Sequence, residues 1–259
     1  MTGVEPAAFQ FADIDVATFA FVGAIAFLAS VLGGVSGYGV GLILPIFLAP
    51  VVGVAGVVPA MAVSMAITNL GRVLAFRREL DWRRAGWALL GAVPFCVLSA
   101  YVYTLLPVAG IALVLGLCLV GSVPLRRALD RAGWRIGPAG IVVGGATYGL
   151  FVGSMSGLGA IVLATLMAAG LEGAALIGTD AVVSLATNIV KVLVFGTRAS
   201  LDLELATAGL LMGLCTIPGA FAGRWLLQRF PMRVHTGLMD ALVLLGGVSF
   251  LWRWWTGAL

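Results

Sequence analysis

Two short glycine-rich stretches have the composition of an ion-binding turn. They are Ser36, Gly37, Tyr38 and Gly39 in the first case, and Ser156, Gly157, Leu158 and Gly159 in the second. A turn of this kind that opens a helix presents backbone N–H groups and the positive end of the helix dipole, which together bind an anion. The first stretch also resembles the TVGYG filter of potassium channels, whose carbonyl oxygens bind a cation. Because Leu158 stands in the second stretch where Tyr38 stands in the first, the filter-like pattern occurs once, and the anion is favoured.

Polar side chains line one face of each of two apolar segments. The segment 174–195 carries Asp180, Ser184, Thr187, Asn188 and Lys191, and the segment 55–76 carries Ser64, Thr68, Asn69 and Arg72. Spacings of three and four positions place side chains on one side of a helix, and polar groups inside a membrane face a cavity or a partner. The two stripes therefore predict a binding site for a small anion. Its neutral donors are predicted to be Thr68, Asn69, Thr187 and Asn188.

Three charged residues of these stripes, Arg72, Lys191 and Asp180, are predicted to lie along the path of the anion. The two cations lie about one turn from the ends of their segments, so they either attract anions near the two mouths of the pathway or extend to the membrane interface. Asp180 has no acidic counterpart in the first stripe. It either pairs with a neighbouring arginine, which is the favoured interpretation, or carries a proton. We expect neutral donors to hold the anion, because a desolvated arginine clamp would release it slowly.

The composition places these residues in a membrane protein. The chain has 259 residues, of which 61% are hydrophobic and 10% are charged, and its mean hydropathy is +1.13. This excludes an ordinary soluble domain. The net charge of +4 arises from arginines in short stretches between apolar runs, which report membrane orientation and do not predict binding to nucleic acid.

The apolar runs form two copies of one pattern. Ten segments are predicted at 17–34, 38–52, 55–76, 85–105, 108–125, 139–153, 158–169, 174–195, 205–227 and 234–251. SGYG at Ser36 matches SGLG at Ser156, and TNLGRVLAF at Thr68 matches TNIVKVLVF at Thr187. Further matched landmarks are Asp81 with Asp202, Pro94 with Pro218, and Pro107 with Pro231. Since each copy has an odd number of segments, the second copy enters the membrane upside down. We therefore predict an all-α polytopic membrane protein of two inverted repeats of five apolar segments, each with a glycine-broken short helix.

The loop charges predict the orientation of the chain. The arginines that fall on one side are Arg77, Arg78, Arg83, Arg84, Arg126, Arg127, Arg131, Arg135, Arg229 and Arg233. By the positive-inside rule this side is the cytoplasm, which places both termini outside. The predicted division is an outer-facing N-terminal segment at 1–16, the first repeat at 17–125, a basic cytoplasmic linker at 126–138 and the second repeat at 139–255.

Each glycine turn is followed by a segment that is too short to cross a bilayer. About 15 residues precede Gly53 and about 12 precede Gly170, which as helices reach roughly 18 to 22 Å. The hydrocarbon core is about 30 Å thick. Short, glycine-interrupted segments at matching positions of two inverted halves indicate the binding site of a transporter, with both turns near the bilayer midplane. The alternative is that the small residues only allow helices to pack closely.

The order of these features resembles the TauE/SafE sulfite exporter family. The shared features are paired glycine-rich turns followed by short apolar helices, then a helix rich in Ala, Thr, Ser and Asn that ends in a basic residue and an aspartate-containing loop. The resemblance runs from about Phe19 to Leu251. It implies a permease that exports small sulfur-containing anions, such as sulfite or organosulfonates, across the bacterial inner membrane. Members more often carry consecutive glycines where this chain has SGYGVG and SGLGAI.

The leading hypothesis is a secondary transporter that exports small sulfur-containing anions. Its expected partners are the anion, the lipid bilayer and H⁺ as a coupling ion. No cofactor, metal site or enzymatic activity is expected. The three cysteines have no neighbouring histidine to complete a metal site. The single histidine, His235, starts a segment at the cytoplasmic interface, which does not favour a catalytic pair with Ser156. A permease for another small anion, an anion or cation channel, and a receptor without transport are the alternatives.

Overall fold

The computed structural model describes residues 16–36, 39–132, 135–155, 158–227, 244–245 and 247–257. All regular structure in these ranges is helical. The helices are α1 (Val16–Ser36), α2 (Gly39–Ala75), α3 (Trp82–Tyr103), α4 (Val108–Ala132), α5 (Pro138–Val152), α6 (Gly159–Ala168), α7 (Gly173–Thr197) and α8 (Leu203–Leu227). A last helical stretch covers 247–256.

The helices follow the predicted segments closely, with two differences. Helix α2 contains two predicted segments, 38–52 and 55–76, because Gly53 turns the chain at φ 73° without a loop. This left-handed backbone conformation favours glycine, which has no Cβ. Helix α4 continues to Ala132, so it includes the first half of the stretch predicted as a linker. The tenth predicted segment, 234–251, lies largely outside the described residues.

The described surface is that of a membrane protein. Within the described ranges, three helical stretches are long and apolar enough to cross a bilayer by length and composition, namely Ile43–Ala75, Trp82–Tyr103 and Gly173–Thr197. Large apolar side chains on these stretches point outward, including Leu90 and Leu193, each 62% exposed. Polar side chains of the same helices are buried, which is the distribution that a lipid solvent favours.

Helices α5 and α6 form a hairpin whose two ends meet at one end of the bundle. The backbone N–H of Ile136, two residues before α5, donates to the carbonyl of Ala168, the last residue of α6, at 2.9 Å. Helix α5 has 15 residues and α6 has 10, so they reach about 22 and 15 Å. The hairpin thus enters the bundle and returns on the same side. Gly170, at φ 84°, then turns the chain into α7.

Helices α2 and α7 run antiparallel through the centre. Near the end of α2, Arg72 bonds Asp180, close to the start of α7. Towards the opposite end, Tyr103 of α3 donates its hydroxyl to the carbonyl of Ala55 and lies 5.4 Å, centroid to centroid, from the ring of Phe195. The two polar stripes of the sequence therefore lie on neighbouring helices of opposite direction.

Close contacts join α3 to α5 and α1 to α8. A Cβ on Gly145 or Gly149 would overlap the carbonyl oxygens of Ala88 and Ala92, so α5 approaches the backbone of α3 directly. Ser30 of α1 donates its hydroxyl to the carbonyl of Thr216 on α8 at 2.6 Å. In both pairs the two helices run in the same direction. Small residues at such crossings allow the van der Waals contact that holds membrane helices together.

Two aspartates that the sequence matched have the same local role. Asp81 accepts a hydrogen bond from the backbone N–H of Arg84 at 2.8 Å at the start of α3, and Asp202 accepts one from Leu205 at 2.7 Å at the start of α8. Each carboxylate therefore caps a helix N-terminus. The backbone N–H of Arg84 holds the pKa of Asp81 below its usual value.

The glycine contacts between α3 and α5 predict that alanine substitutions lower the stability of the protein only at the contact positions. Replacing Gly149 by Ala places a methyl group against the carbonyl of Ala92. We expect the free energy of unfolding to fall by about 1–3 kcal/mol, the usual cost of overpacking. Thermal unfolding in detergent, followed by tryptophan fluorescence, measures it. Gly86→Ala is the control, since nothing lies within 4 Å of a Cβ there. Equal melting curves for the two variants would contradict the close approach.

Candidate functional site

The two polar stripes are buried, as the sequence predicts. Their nine residues are Ser64, Thr68, Asn69 and Arg72 on α2, and Asp180, Ser184, Thr187, Asn188 and Lys191 on α7, with exposed fractions between 0% and 6%. Neither stripe faces the outer surface of the bundle. The contact between α2 and α7 is therefore lined by buried polar side chains over residues 64–72 and 180–191.

Arg72 and Asp180 form a buried ion pair between α2 and α7. Arg72 Nη2 lies 2.8 Å from Asp180 Oδ2, and their side chains are 5% and 0% exposed. Arg72 Nη1 donates to Asn69 Oδ1 at 3.0 Å, and Nη2 also donates to the carbonyl of Ile177 at 3.4 Å. The interpretation that Asp180 pairs with an arginine is confirmed. The alternative that Arg72 extends to the membrane interface is wrong, because three oxygen acceptors hold it inside.

Lys191 is also turned inward. It is 0% exposed, and its ammonium group donates to the carbonyl of Met155, in the turn between α5 and α6, at 2.7 Å. The interpretation that Lys191 extends to the interface is therefore wrong as well. Since neither cation lies at an exposed surface, neither marks an open mouth of a pathway. Among the carboxylates whose side chains the structure describes, none lies within ion-pair distance of Lys191.

A chain of hydroxyl groups continues from the ion pair along α7. Ser184 donates to Asp180 Oδ1 at 3.4 Å, and the hydroxyl of Tyr148 lies 3.4 Å from Ser184 Oγ and 3.5 Å from Thr187 Oγ1. The thiol of Cys96 donates to the carbonyl of Thr187 at 3.6 Å. Tyr148 was not identified from the sequence. The available signal was a lone tyrosine inside an apolar segment, whose hydroxyl needs a partner when buried.

The predicted neutral donors differ in their hydrogen bonding. Thr68 donates to the carbonyl of Ser64 and lies beside Thr216 Oγ1, Thr187 donates to the carbonyl of Val183, and Asn188 donates to the carbonyl of Ser184. In contrast, Ser64 Oγ and Asn69 Nδ2 are buried and have no hydrogen-bond partner among the described residues. Because Arg72 occupies Asn69 Oδ1, the amide nitrogen must point away from it. Buried donors of this kind call for a ligand or water.

The glycine turns lie only partly within the described residues. Ser36 ends α1, Gly39 begins α2 and Gly159 begins α6. Gly37, Tyr38, Ser156 and Gly157 lie outside the described residues. Leu158 takes the N-cap position of α6 without a side-chain hydrogen bond. The bond from Lys191 to Met155 does bring the second stripe to this turn, whereas the approach of the two turns to one another stays a prediction.

The Arg72–Asp180 pair predicts that the stability effects of substituting the two residues are strongly non-additive. Asp180→Leu or Arg72→Met alone leaves one buried charge without its partner, which costs about 3–5 kcal/mol of stability. The double variant Arg72→Met with Asp180→Leu removes both charges, so we expect it to be more stable than the Asp180→Leu variant. Thermal and denaturant unfolding of the four proteins measures the coupling. Additive losses would show that the two side chains are not paired.

Comparison with known families finds one family model that covers most of the chain. The family model of the sulfite exporter TauE/SafE matches residues 22–250, a range that contains both glycine turns and both polar stripes. Comparison with curated proteins and with solved structures gave no match. Since the family model matches most of the chain, the protein belongs to the sulfite exporter TauE/SafE family.

Proposed function

We propose that the protein is a secondary transporter that exports small sulfur-containing anions, such as sulfite or organosulfonates, across the bacterial inner membrane. Membership of the family implies membrane transport of sulfur anions in general. The observation that carries the proposal is the buried amide of Asn69, which has no partner for its Nδ2 in the described interior. An oxyanion offers several acceptors to such a donor.

The proposed architecture is a pair of inverted repeats. Three observations support it: the left-handed Gly53 and Gly170 each follow a short helix, Asp81 and Asp202 cap corresponding helices, and the equivalent helices α2 and α7 are antiparallel. Helix pairing agrees as well, since α3 packs on α5 while their counterparts α8 and α1 pack on one another. Two inverted halves around a central site are the usual basis of alternating access.

Neutral donors are proposed to make the main contacts with the oxygens of the anion. They are Asn69 and Asn188, backbone N–H groups at Gly37 and Gly157, and the hydroxyls of Thr68 and Thr187. The two hydroxyls would have to turn to the anion from the carbonyls of Ser64 and Val183, which now accept their hydrogens. The bonding of Arg72 supports this, because Asp180 and Asn69 already occupy its guanidinium group. A bidentate arginine clamp on the substrate is therefore not built into this interior, and release is not slowed by one.

Asn69 and Asn188 predict a loss of affinity. We expect Asn69→Ala and Asn188→Ala each to weaken sulfite binding by about 1–3 kcal/mol, the range for a lost hydrogen bond to a charged group. Calorimetry on purified protein measures binding, and sulfite flux in proteoliposomes, with and without a pH gradient, measures transport and proton coupling. Thr147→Ala, which removes an exposed hydroxyl on α5, is the control. Wild-type binding by both asparagine variants would disprove the neutral site, and conductance at single-channel rates would disprove the transporter.

The distribution of arginines predicts both termini on the outer face. Cysteines introduced at Asp15 and Gly257 should react with an impermeant maleimide added to intact spheroplasts, because positive loops stay in the cytoplasm. A cysteine at Arg78, between α2 and α3, is the control and should react only after permeabilisation. Labelling of either terminus only from the cytoplasm would refute the inverted repeat.

A further inference from the structure

The ion pair defines which residues of α2 and α7 lie at the same height along the two helix axes, here called a level. Arg72 faces Asp180, and the helices are antiparallel, so moving back along α2 corresponds to moving forward along α7. Eleven residues are about three turns and 16 Å, and they return to the same helix face. Eleven residues before Arg72 is Met61, and eleven after Asp180 is Lys191. Met61 and Lys191 therefore form a second level on the same two faces.

Each of the two levels carries one cationic side chain, but the residues opposite the two cations differ. Arg72 has a carboxylate opposite it. By the helix register, the residue at the level of Lys191 is Met61, which carries a thioether. Both Met61 and Lys191 are 0% exposed. The internal sequence alignment agrees with this register. Because TNLGR matches TNIVK, Lys191 is the counterpart of Arg72, and Met61 is the counterpart of Asp180. The position that would supply a counter-ion to Lys191 is occupied by an apolar residue.

Among the described residues, the surroundings of Lys191 supply fewer acceptors than a buried ammonium group requires. Of its three N–H donors, one is taken by the carbonyl of Met155. A buried cation without a counter-charge is strongly disfavoured. Helix α6 begins at Gly159, four residues after Met155, and its positive end has no side-chain cap. The hydroxyl of Ser64 has no partner among the described residues. The same helix register puts Ser64 at the height of Asn188, which is one helical turn from Lys191.

We propose that Lys191 is the counter-charge of a singly charged sulfur oxyanion, bisulfite or a sulfonate, which binds beside Lys191 and balances its charge as Asp180 balances that of Arg72. The inference rests on the proposed function and adds the charge class of the substrate and the residue that selects it. Neutral donors contact the oxygens, and Lys191 balances the charge as a single point charge. A doubly charged anion would leave one negative charge buried without a partner, so the site disfavours it.

Three tetrahedral sulfur compounds of similar size separate charge from shape. They are methanesulfonate with one negative charge, sulfate with two, and dimethyl sulfone with none. Calorimetry on the purified protein should show that methanesulfonate binds at least about tenfold more tightly than the other two. Lys191→Met should weaken methanesulfonate binding by about 10- to 100-fold, and Lys191→Arg should restore part of the loss.

Met61 offers an independent test that leaves Lys191 in place. Met61→Asp supplies the missing carboxylate, which should compete with the anion and weaken methanesulfonate binding at least about tenfold more than the uncharged Met61→Asn. Both variants have nearly the same size, so packing changes affect them alike. This pair decides the proposal even if Lys191→Met does not fold.

The outcomes separate this inference from the proposed function. If wild-type protein transports sulfite and Lys191→Met or Met61→Asp binds methanesulfonate as wild type does, the counter-charge is disproved and the transporter stands. Equal binding of sulfate and methanesulfonate would also disprove the charge selection. If wild-type protein binds methanesulfonate through Lys191 but proteoliposomes show no flux of sulfur anions, the transport function is disproved and the site stands. No binding of any of the three compounds would overturn the inference.

Discussion

The ion pair between Arg72 and Asp180 is the interaction on which the arrangement of the interior depends. Both side chains are withdrawn from the surface, and removing either would leave a buried charge without a partner. A slip of one turn between α2 and α7 would separate the two charges, so the pair holds one register of these helices. The levels of all other polar residues on α2 and α7 then follow from that register. The pair is therefore better understood as a device that specifies geometry than as a large source of stability.

The same requirement for matched polar groups governs the irregular backbone. Non-helical backbone at membrane depth is tolerated where its carbonyl and N–H groups find partners inside the protein. The turn between α5 and α6 meets this condition in part through Lys191, whose ammonium binds the carbonyl of Met155. The hairpin also needs a sharp turn into the next long helix, which Gly170 provides in a backbone conformation that other residues adopt at a cost. A buried charge and a glycine thus make the short helix α6 compatible with an apolar surrounding.

Much of this organisation could be predicted from the sequence, because its causes are local. Apolar runs, glycines and prolines predicted the helices, and the spacing of Asp180, Ser184 and Lys191 predicted a buried stripe. The direction in which Lys191 points could not be predicted, since a lysine one turn from a helix end reaches water or the interior equally well. That choice depends on a carbonyl 36 positions earlier in the chain. Likewise, Tyr148 joins the stripe because α5 packs on α3 and the tyrosine side chain extends from there to Ser184 and Thr187 of α7, which no periodicity reveals.

The difference between arginine and lysine at equivalent positions fits the two tasks proposed here. The guanidinium of Arg72 has several donors in a rigid plane, and in this chain they bind Asp180, Asn69 and the carbonyl of Ile177 together. Such a set of bonds suits a permanent contact, because every donor is preorganised towards a fixed acceptor. Lysine carries a compact charge with freely rotating donors, so one ligand can leave and another arrive without rearranging a plane of bonds. The arginine has a built-in carboxylate beside it, whereas the helix register puts an apolar methionine at the level of the lysine. The two proposals therefore assign a structural role to the first level and an exchangeable ligand to the second.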